Sequence, residues 1–182
     1  MASPVSFTPP HDQLGLRAAL PGLFCAVATL LVGYAMGVVF GLNEELIKSR
    51  LAAAADNVRS SVYQDNDAAI KAVLAKSWTY IQRAHLHAGG LGSAAIGVTL
   101  LAVMLGVRAT WTRLISLGLG VGAFGYSTFW LWAGFRAPTL GSTDAAKESL
   151  AWLAIPSSGA VVVSTVAVGI LIVIRLGTRT TR

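Results

Sequence analysis

Along most of this chain apolar and polar residues do not alternate; the apolar ones gather into four long blocks, and every Asp and Glu lies outside them. A helix needs about 20 mainly apolar residues to cross roughly 30 Å of hydrocarbon. Residues 20–42, 84–107, 114–135 and 150–174 each reach that length without a single Asp, Glu, Lys or Arg. Arg83, Arg108, Arg113, Arg136 and Arg175 stand at the block edges. The pattern predicts an all-α integral membrane protein with four transmembrane helices.

Between the first two blocks, in residues 43–83, the apolar residues thin out but keep a helical spacing. Leu46/Ile47, Leu51, Ala54/Ala55, Val58 and Val62 recur at steps of three and four. The run Tyr63-Gln64-Asp65-Asn66-Asp67 reads as a turn, with Asp67 as N-cap of a returning helix that puts Ile70, Val73/Leu74, Ser77/Trp78 and Ile81 on one face. Spans 1 and 2 are thus expected to extend into an antiparallel helical hairpin outside the membrane, projecting on the order of 30 Å at 1.5 Å per residue. Counting back equally from a turn near Asp65 sets Asn43, Glu44 and Glu45 opposite residues 85–87. The competing reading is an amphipathic segment lying flat on the bilayer. The remaining segments are an N-terminal tail (1–19), an outer loop (137–149) and a C-terminal tail (175–182).

Composition strengthens this picture. The chain is 54% hydrophobic and 12% charged, well below the roughly one-quarter charged residues of soluble domains, and its mean hydropathy is +0.65. The first block is too long for the apolar core of a secretory signal, which runs to roughly 7–15 residues. Cys25 is the single cysteine, which excludes an intrachain disulfide and leaves it as a small core residue. The formal charge of +6 comes from bases scattered singly at helix ends, so anionic headgroups are the expected counterpart and nucleic acid is not.

With four spans both termini share one side. Cytoplasmic termini put Arg17, Arg108, Arg113, Arg175, Arg179 and Arg182 inside against Asp12 alone, and the short turn between spans two and three carries two Arg and no acid. The expected location is the cell (inner) membrane, multi-pass, with the termini cytoplasmic.

Helices in lipid associate through close backbone approach at small residues. Candidate rows are Gly33/Gly37/Gly41, Gly89/Ser93/Gly97, Gly118/Gly122 and Thr165/Gly169, facing neighbours in the chain or a second copy. Pro156 favours a kink in the fourth span, with Ser157 and Ser158 available to its carbonyls. Trp78, Tyr80, Trp130, Trp132 and Trp152 fall toward one end of the spans, as an interfacial aromatic belt would.

The stretch with most chemistry is Arg83-Ala84-His85-Leu86-His87-Ala88-Gly89-Gly90, where a span enters the membrane. Imidazole ligates transition metals and haem iron and titrates near neutrality. Residues two apart on a helix point about 200° from one another, so His85 and His87 do not both reach one ion from a regular helix. The expected register adds Glu44 and Glu45 at the same height and Met36 slightly deeper. His85 and His87 are therefore the candidate cofactor ligands, and His85, His87, Glu44 and Glu45 the candidate metal set, for haem or a transition metal. The opposing reading has both histidines at the headgroup boundary, bonded to water, lipid or Glu44.

No phosphate-cradling loop, HExxH, paired cysteines or serine-nucleophile context occurs, so no catalytic residues are assigned and the isolated chain is not expected to be an enzyme. Mid-membrane Asp, Glu, Lys and Arg, which transporters use, are also missing. The leading expectation is a small accessory or structural subunit of a membrane complex, partnered by lipid and by other subunits or further copies, with a metal or haem site at the outer boundary. The alternatives are a stand-alone membrane cytochrome or metal protein, and a membrane sensor with a periplasmic hairpin.

Overall fold

The computed structural model describes residues 11–179, and every regular element among them is helical. In chain order these are α1 (His11–Asp56), α2 (Arg59–Val62), α3 (Asp67–Met104), α4 (Ala109–Leu140), α5 (Thr143–Glu148) and α6 (Ala151–Arg179). Four of them, α1, α3, α4 and α6, are long and apolar enough to cross a membrane, which is compatible with a multi-pass membrane protein. Of the expected tails, residues 1–10 and 180–182 lie outside the described residues. Residues 11–19 belong to α1, and α6 continues past the last apolar block to Arg179.

The central helix is α4, which packs against α1, α3 and α6. Half of its apolar stretch (50%) is buried, against 11% for α6 on the periphery. Glycine makes these approaches possible. A Cβ on Gly22 of α1 would overlap the backbone of Ser116, and one on Gly120 would overlap the Gly22 carbonyl. On another face of α4, Gly118, Gly122 and Gly125 seat Ser164, Val161 and Ser157 of α6.

Only some of the small-residue rows carry contacts. Gly33 meets Ala88 and Gly89, and Gly37 meets His85, whereas Gly41, Gly97 and Gly169 face open space, and Ser93 and Thr165 are exposed. The interior row of α3 is instead Ala84, Ala88, Gly92, Ala95, Thr99 and Ala102. Those residues recur at steps of three and four, the spacing of a seam between nearly antiparallel helices. α6 runs through Pro156, with the Ser158 hydroxyl donating to the Ala154 carbonyl at 2.8 Å and Ser157 turned toward α4.

α1 is broken where the apolar block ends. Asn43 leaves helical geometry (φ −162°, ψ 77°), and its Oδ1 accepts from the Leu46 backbone N–H at 3.1 Å. Asn43 is thus the N-cap of a second helical limb, with Glu44 and Glu45 in its first turn, where carboxylates favour the positive helix end. At the start of α3 the cap is Asn66, whose side chain accepts from Ala69 N, rather than the expected Asp67. Asp67 occupies the first helical position and bonds Arg59 instead.

α1 and α3 run antiparallel, but the register differs from equal counting about Asp65. The connection between the limbs is not one tight turn. It holds the extra turn α2 and then Gln64 and Asp65 in the left-handed region (φ 52° and 59°). Its midpoint lies earlier in the chain, so Gly37 rather than Glu45 stands level with His85, a displacement of about two helical turns.

Nor does the tip of the hairpin stand free. Buried Tyr63 donates its hydroxyl to the Pro138 carbonyl of α4 at 2.7 Å, and it packs with Ala55 and Ile70. Gly141 (φ 64°), which ends α4, has no room for a side chain beside Val62.

Candidate functional site

α3 carries both histidines, and its packing sends them to different neighbours. His85 turns to α1, where its Nδ1 lies 2.8 Å from the Gly33 carbonyl oxygen. A carbonyl only accepts, so Nδ1 carries a proton and donates. The seat is shaped by what Gly37 lacks: a Cβ there would come within 3.0 Å of His85 Cε1. Phe40 closes the seat edge-on, its centroid 5.5 Å from the His85 ring and 5.2 Å from Trp78.

His87 turns to α4. Its ring lies 5.0 Å from Tyr126 and 6.0 Å from Trp130, the latter nearly parallel. Around it Tyr80, Phe129 and Trp130 form a continuous aromatic cluster, with the Arg83 guanidinium 5.0 Å over the Trp130 ring. Trp130 Nε1 is buried there without a hydrogen-bond partner among the described residues.

Glu44 and Glu45 sit elsewhere. Both pair with Lys48, at 2.6 and 3.3 Å, and Lys48 in turn lies 5.3 Å over Trp78. The Glu44 hydrogen bond is the main reason the Lys48 ammonium titrates above its ordinary value. Met36 lines a small cavity of about 20 Å³ with Thr29, Ala84 and Ser127, a space on the scale of a single water. The four candidate metal residues are therefore not brought together, and among the described residues no three His, Cys, Asp or Glu side chains converge on one ion position.

What the arrangement does chemically is connect helices. His85 bridges α3 to α1, His87 and its aromatic neighbours join α3 to α4, and the two acids stand in the first turn of the limb that Asn43 caps and pair with Lys48. The glycine seat of His85 was open to sequence reasoning through the Gly33/Gly37 row, but only the register reveals that an imidazole fills it. The Asn43 break had a sequence signal, an Asn followed by two Glu at the end of an apolar block.

At the hairpin end two further bases pair with acids of this chain. Arg59 bridges Asp56 and Asp67, and Lys147 lies 2.8 Å from Asp144. Hydrogen bonding to Arg59 holds the Asp67 carboxyl below the usual range, and Lys147 does the same for Asp144. Burial pushes the Tyr63 phenol up.

Comparison with protein-family models, curated proteins and solved structures finds no match to this chain.

Proposed function

We propose that this chain is a small structural or accessory subunit of a membrane complex, resident in the cell (inner) membrane with cytoplasmic termini. The observation that carries the reading is the use made of His85. The polar group best suited to chemistry is engaged in an interhelical hydrogen bond to Gly33, inside a seat formed by Gly37 and Phe40. Helix-to-helix hydrogen bonds of this kind add modest stability in lipid, roughly 0.6–2 kcal/mol, and they fix register. Supporting this, much of α1 and α6 presents large apolar side chains outward, among them Phe24, Leu31, Val163 and Val173. Such faces suit lipid and neighbouring subunits or further copies of the chain.

The test is native electrophoresis of tagged protein solubilised gently from its own membranes, together with a visible spectrum of the purified protein. A colourless species migrating with other chains or as an oligomer is expected. A monomer with a Soret band that disappears in His85→Ala would overturn the reading. Topology is checked by alkaline phosphatase fusions, active after Gln64 and inactive after Arg179 if the termini are cytoplasmic.

One observation favours the second reading, a haem or metal protein. A backbone carbonyl on Nδ1–H leaves Nε2 as the donor atom, the orientation usual for a ligating histidine. In that case the opposing ligand comes from another subunit, and the same spectrum decides.

A further inference from the structure

The small cavity of about 20 Å³ beside Met36 is lined by residues of α1, α3 and α4. α3 contributes only the methyl groups of Ala84 and Ala88 to its wall. Ala88 also packs against Gly33, so the cavity adjoins the contact between α1 and α3 that His85 makes. The other helices bring hydroxyls to it: Thr29 from α1, and Ser127 and Thr128 from α4.

These hydroxyls differ in what they have left to offer. Thr29 and Ser127 are buried, at 1% and 5% exposure. Each donates at 2.8 Å to the carbonyl four residues earlier, of Cys25 and of Ala123. Their protons are thus used within their own helices, while each oxygen keeps acceptor capacity. That back-bond is the common arrangement of a hydroxyl inside a helix, and Thr165 and Ser93 adopt it too. The Thr128 hydroxyl does not, and it has no hydrogen-bond partner among the described residues. Two acceptors and one free donor therefore surround a space that a direct bond between the helices does not fill.

We propose that this cavity binds one water molecule that ties α1 to α4, donating to Thr29 Oγ1 and Ser127 Oγ and accepting from the Thr128 hydroxyl. A buried water typically makes about three hydrogen bonds and needs a cavity of about 10–15 Å³ or more, and both conditions are met. No carboxylate lines the space, so its occupant is neutral, since a buried charge requires a partner. A water bridge is nearly as favourable in enthalpy as a direct bond, and ordered water is one of the means by which polar groups are satisfied inside a membrane. The bridge does between α1 and α4 what His85 does between α3 and α1.

Water-edited solid-state NMR of the full chain in lipid bilayers, with threonine and serine labelled, tests the site. Magnetisation from water is expected to reach Thr29, Ser127 and Thr128 early, and Thr165, exposed on the outer face of α6, only at background level. Thr29→Val with Thr128→Val removes two of the three partners while keeping the side-chain shape. It is expected to reduce the Ser127 signal to the Thr165 level, with the helix content unchanged, whereas Thr165→Val is expected to leave Ser127 as it was. Background transfer at Thr29 and Ser127 in the wild type overturns the proposal. So does transfer at Thr165 as strong as at those two, because water would then reach any hydroxyl of the bundle from outside. An unchanged Ser127 signal in the folded double variant overturns it as well. Should that variant not fold, the wild-type comparison of Thr29 with Thr165 decides.

Discussion

The two ends of the bundle are packed by the same means and charged by opposite ones. At the hairpin end Lys48, Arg59 and Lys147 each meet a carboxylate of this chain, and the tip is tied to α4 through Tyr63 and Pro138. At the α3–α4 turn end the described arginines, Arg17, Arg108, Arg113 and Arg175, line two clefts without any acid among the lining residues. Backbone-close glycines nevertheless operate at both: Gly134 against Ile81 and Ser77 toward the hairpin, and Gly22 against Ser116 toward the turn. The contrast is that ion pairs between side chains of this chain tie the hairpin end, while arginines line clefts at the other.

The strongest way to probe this contrast is to break the packing common to both ends. Gly22→Leu and Gly134→Leu each drive a side chain into backbone or a buried isoleucine. Each is expected to lower stability by about 3 kcal/mol or more, read as thermal unfolding in micelles by circular dichroism. Similar losses from both substitutions, irrespective of lipid charge, would confirm that the ends differ in electrostatics and not in packing.

Tyr63→Phe comes next. It removes the donor to Pro138 and leaves a buried carbonyl unpaired, for an expected loss of about 1–2 kcal/mol. Faster amide exchange should then appear in residues 59–67 and not in 105–112. Asn43→Ala removes the cap of the second α1 limb and is expected to cost about 1 kcal/mol, with exchange rising in 44–48.

The smallest effect is titration. The carboxyls of Asp67 and Asp144 are held low by Arg59 and Lys147. Their contribution is therefore complete above the ordinary carboxylate range and is lost as pH falls through and below it. The Tyr63 phenol is raised by burial, so its contribution holds below the ordinary phenol value and is lost as pH rises past it. Both limits loosen the hairpin end. Amide exchange at the α3–α4 turn, whose bases are arginines, should stay unchanged across the same range. Parallel loosening of the two ends in acid would remove the contrast.

Much of the candidate site could be read in advance, and much could not. That the two histidines diverge follows from helix geometry, since residues two apart lie on different faces. That Glu44 and Glu45 serve Lys48 was also present in the i, i+3 and i, i+4 spacing of the acids to that lysine. The partners across the helix pair were hidden. Equal counting from Asp65 treats the connection as a simple turn, whereas α2 and the left-handed Gln64 and Asp65 lengthen it and slide Gly37 to the level of His85.

By itself the sequence determined the four long apolar helices and where their charged edges fall, because the apolar content of a stretch is a sum over single residues and needs no knowledge of neighbours. The caps at Asn43 and Asn66 are bonds between residues three apart and so are local as well, although the sequence pattern pointed to Asp67 rather than Asn66. Only the tertiary structure decided which small-residue rows are used, that Gly118 and Gly122 meet α6 while Gly97 and Gly169 meet nothing, and that an imidazole fills the space left by Gly37. A helix that is apolar on nearly every face offers no polar side to mark its exterior. Its contacts are therefore chosen by shape between two surfaces, which no single stretch of chain contains.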